Sequence, residues 1–280
     1  MIAPLTFNSE SSIFPQKIIP APRAAPLIST DRVKKSNIVT TWAKRQSEVR
    51  EAQKLRYEVF TDDMGAILPT HIPGFDIDDF DEYCEHLLVR DRETWQVIGT
   101  CRVLTPAQAQ LAGRTYIEGE FDLSPLQPLR EHMAELGRSC VHKDYRNGMV
   151  IRALSKALIS FMILKKLSYL IGCVSIPMNM SLASNKRVCS GDVAASIWRQ
   201  VRDRHMVETH YQVRPRFPLP VDCLDQSLKI DPPPLLKGYL RLGAKVLGKP
   251  AWDPHFNTAD LPMLLQITDL PSRYRKHFLR

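Results

Sequence analysis

Apolar and polar positions along the chain mark out an alternation of strands and helices that begins only after an unpatterned start. Residues 1–37 carry Pro4, Pro15, Pro20, Pro22 and Pro26 among scattered Ser and Ala, without a sustained period, and read as a flexible N-terminal arm. The run 38–42 (Ile-Val-Thr-Thr-Trp) predicts a first strand. Ser47 then offers an N-cap, and Val49, Ala52, Leu55, Val59 and Phe60 form the apolar face of a helix. Arg56 borders that face; it either snorkels to the surface or reaches, buried, into a site. Residues 86–89 and 95–104 predict an antiparallel hairpin, with Arg102 on the face that also carries Gln96, Ile98 and Thr100. Residues 106–128 show no period and read as irregular.

The centre of the pattern is a strand over 135–142, a polar turn over 143–148 and a long apolar helix over 148–168. In a regular strand Glu135, Gly137, Ser139 and Val141 share a face and Arg138 points the other way. A bulge at Gly137 would break that alternation and splay the strand from its neighbour. The helix is apolar nearly all round, with a thin polar stripe of Arg152, Lys156 and Ser160, so it is expected to lie deep against a sheet. A strand follows at 169–176. Such a strand–turn–helix aims unpaired N–H groups from the helix N-terminus at solvent, where anions such as phosphate bind. Arg146 would add charge and Gly148 would let a ligand approach the backbone. Glu135 would stand near the bound ligand as a base. Taken alone, a plain β–α connection with a solvated turn accounts for the same residues. Further on, the pattern predicts helices at 191–206 and 235–242, a strand at 262–268, and a basic, aromatic tail at 273–278.

Composition narrows the partners. With 38 Lys and Arg against 30 Asp and Glu, the net charge of +8 favours an anionic partner, be it nucleic acid, an anionic membrane or an acidic protein. The cysteines (Cys84, Cys101, Cys140, Cys173, Cys189, Cys223) lie far apart without a C-x-x-C pair, as expected of reduced thiols in a cytosolic protein rather than a zinc site. No apolar run reaches membrane-spanning length and no signal pattern opens the chain, so a cytoplasmic location is expected, with peripheral contact to the inner membrane left open. The cluster Asp76, Asp78, Asp79, Asp81 and Glu82 lacks the glycine and terminal glutamate of a calcium loop. It reads as a solvated loop or as a cradle for a cationic substrate.

Several motifs in order resemble the ornithine-lipid N-acyltransferases: Leu55-Arg56-Tyr57-Glu58-Val59-Phe60, Asp78-Asp79-Phe80-Asp81-Glu82-Tyr83-Cys84-Glu85-His86, Gly99-Thr100-Cys101-Arg102, Glu120-Phe121-Asp122-Leu123, Glu135-Leu136-Gly137-Arg138-Ser139 and His255-Phe256-Asn257-Thr258-Ala259-Asp260. The resemblance covers roughly residues 45 to 278. A more distant one, to acyl-homoserine-lactone synthases, maps onto Arg56 and Phe60, Asp78 and Asp81, Arg102, and Glu135 and Arg138.

The resemblance implies an α/β fold of the GNAT acyltransferase type, a mixed central sheet flanked by helices, over residues 38–280. It also implies transfer of a 3-hydroxyacyl chain from acyl carrier protein to the α-amine of ornithine, giving lyso-ornithine lipid. On that basis Glu135 and Arg138 are expected to be catalytic. Asp78, Asp81, Arg56 and Arg102 are expected to bind the acceptor or to brace one another. Arg146, Asn147 and Gly148 are expected to hold the donor's phosphopantetheine. Acetyl-coenzyme A loops read R/Q-x-x-G-x-G/A, and residues 146–150 depart from that spacing, which points to a carrier-protein arm. Neither metal nor other cofactor is expected, and no nucleic acid partner. The alternatives are a homoserine-lactone or other N-acyl amino acid synthase, and a non-catalytic module that binds acyl carrier protein or membrane.

Overall fold

Residues 37–178, 190–272 and 274 are described by the computed structural model. The arm expected over 1–37 and the basic tail at 273–278 lie outside the described residues, Asn37 and Tyr274 excepted. Ile38–Trp42 (β1) pairs antiparallel with Glu85–Asp91 (β2), which pairs in turn with Val97–Leu104 (β3). The expected hairpin is therefore present, but Trp95 stands outside it in left-handed backbone (φ 61°), its side chain exposed. The carboxylate of Asp91 organises that turn by accepting from the N–H groups of Glu93 and Thr94.

The helix Gln46–Met64 (α1) starts ahead of the expected cap. Ser47 lies inside its first turn, because the Glu48 carboxylate takes the preceding N–H groups of Lys44 (2.8 Å) and Arg45 (3.1 Å). Residues 106–132 are more ordered than their composition indicates. They hold a short helix, Pro106–Leu111 (α2), capped by Thr105, then 3₁₀ turns at Ile117–Gly119 and Ser124–His132 around a two-residue strand, Phe121–Asp122 (β4). Elements this short cannot display a period, so their apolar anchors read as isolated residues.

Next come Met133–Val141 (β5), Met149–Leu164 (α3) and Tyr169–Pro177 (β6). The exposed stripe of α3 does run through Arg152, Lys156 and Ser160, while Val150, Leu154, Leu158 and Met162 are buried. Asp192–His205 (α4), Arg214–Pro215 (β7), Pro234–Arg241 (α5), Lys245–Val246 (β8), Ala251–Asp253 (β9) and Thr258–Gln266 (β10) complete the described chain. The last strand begins before the expected 262, since its first turn of polar residues, Thr258 and Asp260, is buried rather than solvated.

The main sheet runs β1-β2-β3-β5-β6-β10-β8, with β9 also against β10, and β4 pairs separately with β7. Among the described strand pairs only β5 and β6 are parallel, so the sheet is mixed, as expected. On one face α3 and α4 bury Val103, Leu170, Met263 and Leu265; on the other, α1 and residues 117–129 cover Cys140, Ile171 and Leu264. Among the described residues the cysteines are free thiols, and Cys223 is exposed rather than in the core.

Gly172 fixes how closely the parallel pair can approach. A Cβ there would sit 2.5 Å from the carbonyl oxygen of Leu136, a backbone atom that cannot swing aside. Gly172→Ala is therefore expected to lower stability by about 2 kcal/mol, the usual cost of forcing a methyl into a packed site. Equilibrium urea unfolding checks this; an unchanged midpoint would show that the strands can part freely.

Candidate active site between two parting strands

Pairing between β5 and β6 stops early. Met133–Glu135 align with Tyr169–Ile171, and beyond them no ladder joins the strands although both continue. On its other edge β5 is bulged: Thr100 faces Cys140 and Arg102 faces Gly137, so Arg138 and Ser139 stand opposite Cys101 alone. The bulge expected at Gly137 thus centres one residue later, on Arg138, whose φ of 50° is rare for a side chain of that size. Such backbone costs on the order of 1 kcal/mol and persists only where its surroundings hold it. The consequence is a change of facing. Arg138 ends up on the same side as Glu135, and Ser139 on the opposite side, the reverse of a regular strand.

What holds Arg138 is a closed ring of alternating charge. Arg56 donates to Asp76 (2.7 Å) and Asp81 (2.8 Å), Arg102 to Asp81 (2.8 Å) and Asp78 (2.7 Å), and Arg138 to Asp78 (2.9 Å) and Asp76 (3.0 Å). Gln53 adds a donor to Asp81 at 2.8 Å. Arg56 is 1% exposed, so the buried alternative is the correct one and snorkelling is excluded. Burial alone would raise the Asp78 and Asp81 carboxyls. The hydrogen bonds and charge of Arg102 on the one, and of Arg56 on the other, outweigh it and hold both below the usual carboxylate range. Arg138 also stacks between the rings of Tyr116 (4.7 Å) and Phe256 (5.0 Å).

Glu135 lies beside this ring but outside it. Its two oxygens accept from the backbone N–H groups of Tyr116 (2.8 Å) and Ile117 (2.9 Å). Burial raises its pKa to about 7, against the opposing pull of Arg102 and those two donors. A carboxyl poised near neutrality is suited to taking up a proton and giving it back.

A cavity of about 210 Å³ fills the gap between the strands, and its walls come from both faces of the sheet. On the α1 side are Glu135, Arg138, Tyr116, Glu120, Asp253 and Asp260; on the α3 and α5 side are Leu136, Leu170, Leu235, Tyr239, Met263 and Leu265. One chamber is acidic and the other apolar, and they meet where β5 and β6 part. Carboxylate oxygens of Glu120, Asp253 and Asp260 all lie within 4.8 Å of one another. Burial, together with the charges of Asp260 and Asp253, raises Glu120 well above its ordinary value. Burial and the charge of Asp253 lift Asp260 to about 6, with the Ser175 hydrogen bond opposing them. Three clustered carboxyls in this state suit a cation, either an ammonium group or a hard divalent ion.

The expected residues therefore separate into groups. Glu135 and Arg138 line the cavity. Asp78, Asp81, Arg56 and Arg102 do not; they hydrogen-bond to one another beside it. Arg146, Asn147 and Gly148 sit past the end of β5, at the open end of the gap, outside the cavity wall. Gly148 has φ 85° and caps α3. Asn147 accepts from the Met149 N–H at 3.0 Å. Glu120, Asp253 and Asp260 were not singled out by sequence reasoning. Glu120 and Asp260 do occur in motifs that carry the family resemblance, while Asp253 gave no signal.

Residues 55–156 match the model of the Acetyltransferase (GNAT) domain. The L-ornithine N(alpha)-acyltransferase of Agrobacterium fabrum (strain C58 / ATCC 33970) is 30% identical over 258 residues, which is 85% of this chain and 84% of that protein. The enzyme of the same name from Rhodobacter capsulatus is 30% identical over 256 residues, 85% of this chain and 93% of that one. This chain belongs to the L-ornithine N(alpha)-acyltransferase family. Among solved structures, the acyl-homoserine-lactone synthase LasI overlays with a TM-score of 0.48 at 13% identity, covering 82% of this chain and 90% of that one, a likeness of fold alone. As a member of this family the chain is an acyltransferase of GNAT fold. Among the described residues no helix is long and apolar enough to cross a membrane.

Two stability measurements probe the charges. Arg56→Met leaves Asp76 and Asp81 short of a cation and is expected to cost roughly 3–5 kcal/mol in urea unfolding; a loss below 1 kcal/mol would mean the ring is not cohesive. Glu120→Gln should act oppositely. A carboxyl whose pKa is raised on folding contributes stability below its unfolded value and loses it as pH rises through the folded one. The variant should accordingly melt higher than the parent at pH 8, with the gap closing near pH 4. Equal melting temperatures at pH 8 would show that the cluster carries no mutual repulsion.

Proposed function

We propose that this chain transfers a 3-hydroxyacyl chain from the phosphopantetheine thioester of acyl carrier protein to the α-amine of ornithine, giving lyso-ornithine lipid. The observation that carries the reading is the cavity through the sheet. An acidic chamber meets an apolar one at a carboxylate whose pKa is near 7. A cationic amino acid and an acyl chain are the two substrates such chambers suit, and the family's named acceptor is ornithine.

In this scheme Glu120, Asp253 and Asp260 hold the side-chain ammonium of the acceptor, and Arg138 faces its carboxylate. Glu135 takes a proton from the α-ammonium. The freed nitrogen attacks the thioester carbonyl, a C–N bond forms, and the resulting oxyanion is met by backbone N–H groups at the bulge of β5. As the C–S bond breaks the nitrogen gives up its second proton to the pantetheine sulfur, which departs as a thiol; the amide is left, and Glu135 returns its own proton to solvent. Arg146 and the N-terminus of α3 hold the pantetheine phosphate at the open end of the gap. No metal or other resident cofactor takes part in this scheme. The basic surface steers the acidic carrier protein. Exposed Ile67, Phe217 and Trp252 are linked through backbone hydrogen bonds of Ile67 to His255 and of Trp252 to Phe217. Together they support peripheral contact with a membrane, beside the wall that Asp253 and Phe256 provide.

Steady-state kinetics with 3-hydroxyacyl carrier protein and ornithine test the scheme. Parent kcat/KM should rise with pH through about 7 as Glu135 loses its proton. Glu135→Gln should lower kcat by about 100-fold or more and flatten that limb, the usual share of a general base. Near-normal turnover of the variant across pH would remove Glu135 from proton transfer. A preference of the parent for S-adenosylmethionine over ornithine would favour the lactone-synthase alternative.

A further inference from the structure

We propose that Glu118 is a positioning residue for acyl transfer: it fixes the turn whose Tyr116 and Ile117 N–H groups hold the Glu135 carboxylate, a role that rests on the reading of Glu135 as the base. The backbone of Glu135 is set by the sheet, between Leu104 of β3 and Ile171 of β6. Its two carboxylate oxygens are located from outside the sheet, by the N–H groups of Tyr116 (2.8 Å) and Ile117 (2.9 Å). The direction in which the carboxylate faces the cavity is therefore set by the turn.

The backbone of the turn explains why those two donors are available. Ile117–Gly119 is a single 3₁₀ turn, in which Gly119 donates to the carbonyl of Tyr116 and Glu120 to that of Ile117, both at 3.0 Å. The N–H groups that begin such a turn have no acceptor within it, and they go to Glu135. Thr115 just ahead of them is tied down by Glu118. One oxygen of Glu118 accepts from the Thr115 N–H at 2.7 Å and from the Thr115 hydroxyl at 3.0 Å, much as the glutamate of a capping box does. Its other oxygen accepts from Arg130, on the 3₁₀ turns of Ser124–His132. Burial would raise the Glu118 carboxyl, but the Thr115 N–H and Arg130 outweigh it and hold it below its ordinary value, so it stays an acceptor at neutral pH. Arg216 adds a second tie, its side chain donating to the Glu118 carbonyl and its N–H to the Glu120 carbonyl, both at 2.7 Å. Thr115, Glu118, Arg130 and Arg216 do not line the cavity, so they reach the reaction only through the turn.

Hydrogen bonds to a carboxylate favour its ionised form. The ionisable groups facing Glu135 are Arg102 of β3, Arg138 of its own strand, Cys84, Glu120 and Cys173. Burial pushes Glu135 up, and the two arginines oppose it in the same direction as the two N–H groups. A turn released from Glu118 still keeps Ile117 in the core and Tyr116 against Phe80 and Arg138. What it loses is the angle at which its N–H groups meet the carboxylate, so Glu135 keeps its proton to higher pH. Removal of a negative charge near Glu135 does the reverse. A positioning effect and a charge effect thus shift the pH profile in opposite directions.

The test is the pH profile of kcat/KM for the full chain with 3-hydroxyacyl carrier protein and ornithine, beside a melting curve for each variant. In Glu118→Ala the limb that rises through about 7 in the parent should move up by about one pH unit, the scale of one hydrogen bond to a charged group, with the high-pH plateau close to the parent's. Glu118→Gln keeps an acceptor for Thr115 and should return the limb close to the parent's position. Arg130→Gln leaves the Thr115 bonds in place and should move the limb upward by less than Glu118→Ala does. The role is overturned by an unmoved limb in Glu118→Ala, by movement to lower pH, or by a uniform fall in rate across pH, which a merely structural residue would give. Should Glu118→Ala not fold, Arg130→Gln decides on the same criteria. A rising limb that survives in Glu135→Gln removes the base and this role together; its loss there, with an unmoved limb in Glu118→Ala, overturns the positioning role alone.

Discussion

The ring of three arginines and three aspartates is the constraint on which the site depends. Each guanidinium bridges two carboxylates and each carboxylate meets two guanidiniums, so six charges, of which Arg56, Arg102, Asp76 and Asp81 are buried and Asp78 and Arg138 partly so, close on themselves with no net charge left over. Burying ions one by one is expensive, and a single pair often fails to recover the loss. A neutral ring with several charge-assisted hydrogen bonds per member recovers far more of it. Its members come from α1, the acidic loop, β3 and β5, so the ring also ties those segments together. It holds Arg138 in left-handed backbone, and with it the bulge at which β5 and β6 separate.

Carboxyls elsewhere in the site behave differently because no guanidinium neutralises them directly. Asp78 and Asp81 are pulled below the usual range and stay ionised, which disqualifies them as proton acceptors at neutral pH. Burial, with the charge of Asp253 added, raises both Glu120 and Asp260. Glu135 falls between the two regimes, held by two backbone donors and pushed up by burial to about 7. In the proposed scheme one functional group, the carboxyl, therefore serves three purposes, separated by what faces each oxygen: bracing, cation binding and proton transfer. The acidic chamber is costly to the folded state until a cation enters it, a usual condition for a binding site.

Much of this was legible in the chain. The strand–turn–helix around Glu135, the deep burial of α3 and the hairpin through Arg102 follow from period and composition, since each element is long enough to show its pattern. The family motifs added the acyltransferase fold. Arg138 could not be placed by alternation, because a bulge one residue later than Gly137 reverses which side chains face the acidic chamber. For Asp78 and Asp81 both acceptor binding and the bracing of arginines stayed open, because a sequence shows that carboxylates are near one another but not that arginines from three other segments converge on them. Glu120, Asp253 and Asp260 were hidden for the same reason: they lie far apart in sequence, and only the packing of β9, β10 and the 3₁₀ turn beside β4 brings them together.

The central claim is that acceptor and acyl chain enter from opposite faces of the sheet and meet where β5 and β6 part. A crystal structure with the N-acylornithine product bound tests it most directly. The account predicts the amide in the gap beside Glu135, the side-chain ammonium among Glu120, Asp253 and Asp260, and the acyl chain among Leu170, Tyr239 and Leu265. A product lying wholly on one face, with its ammonium at Asp78 and Asp81 or its chain outside the apolar chamber, would contradict it.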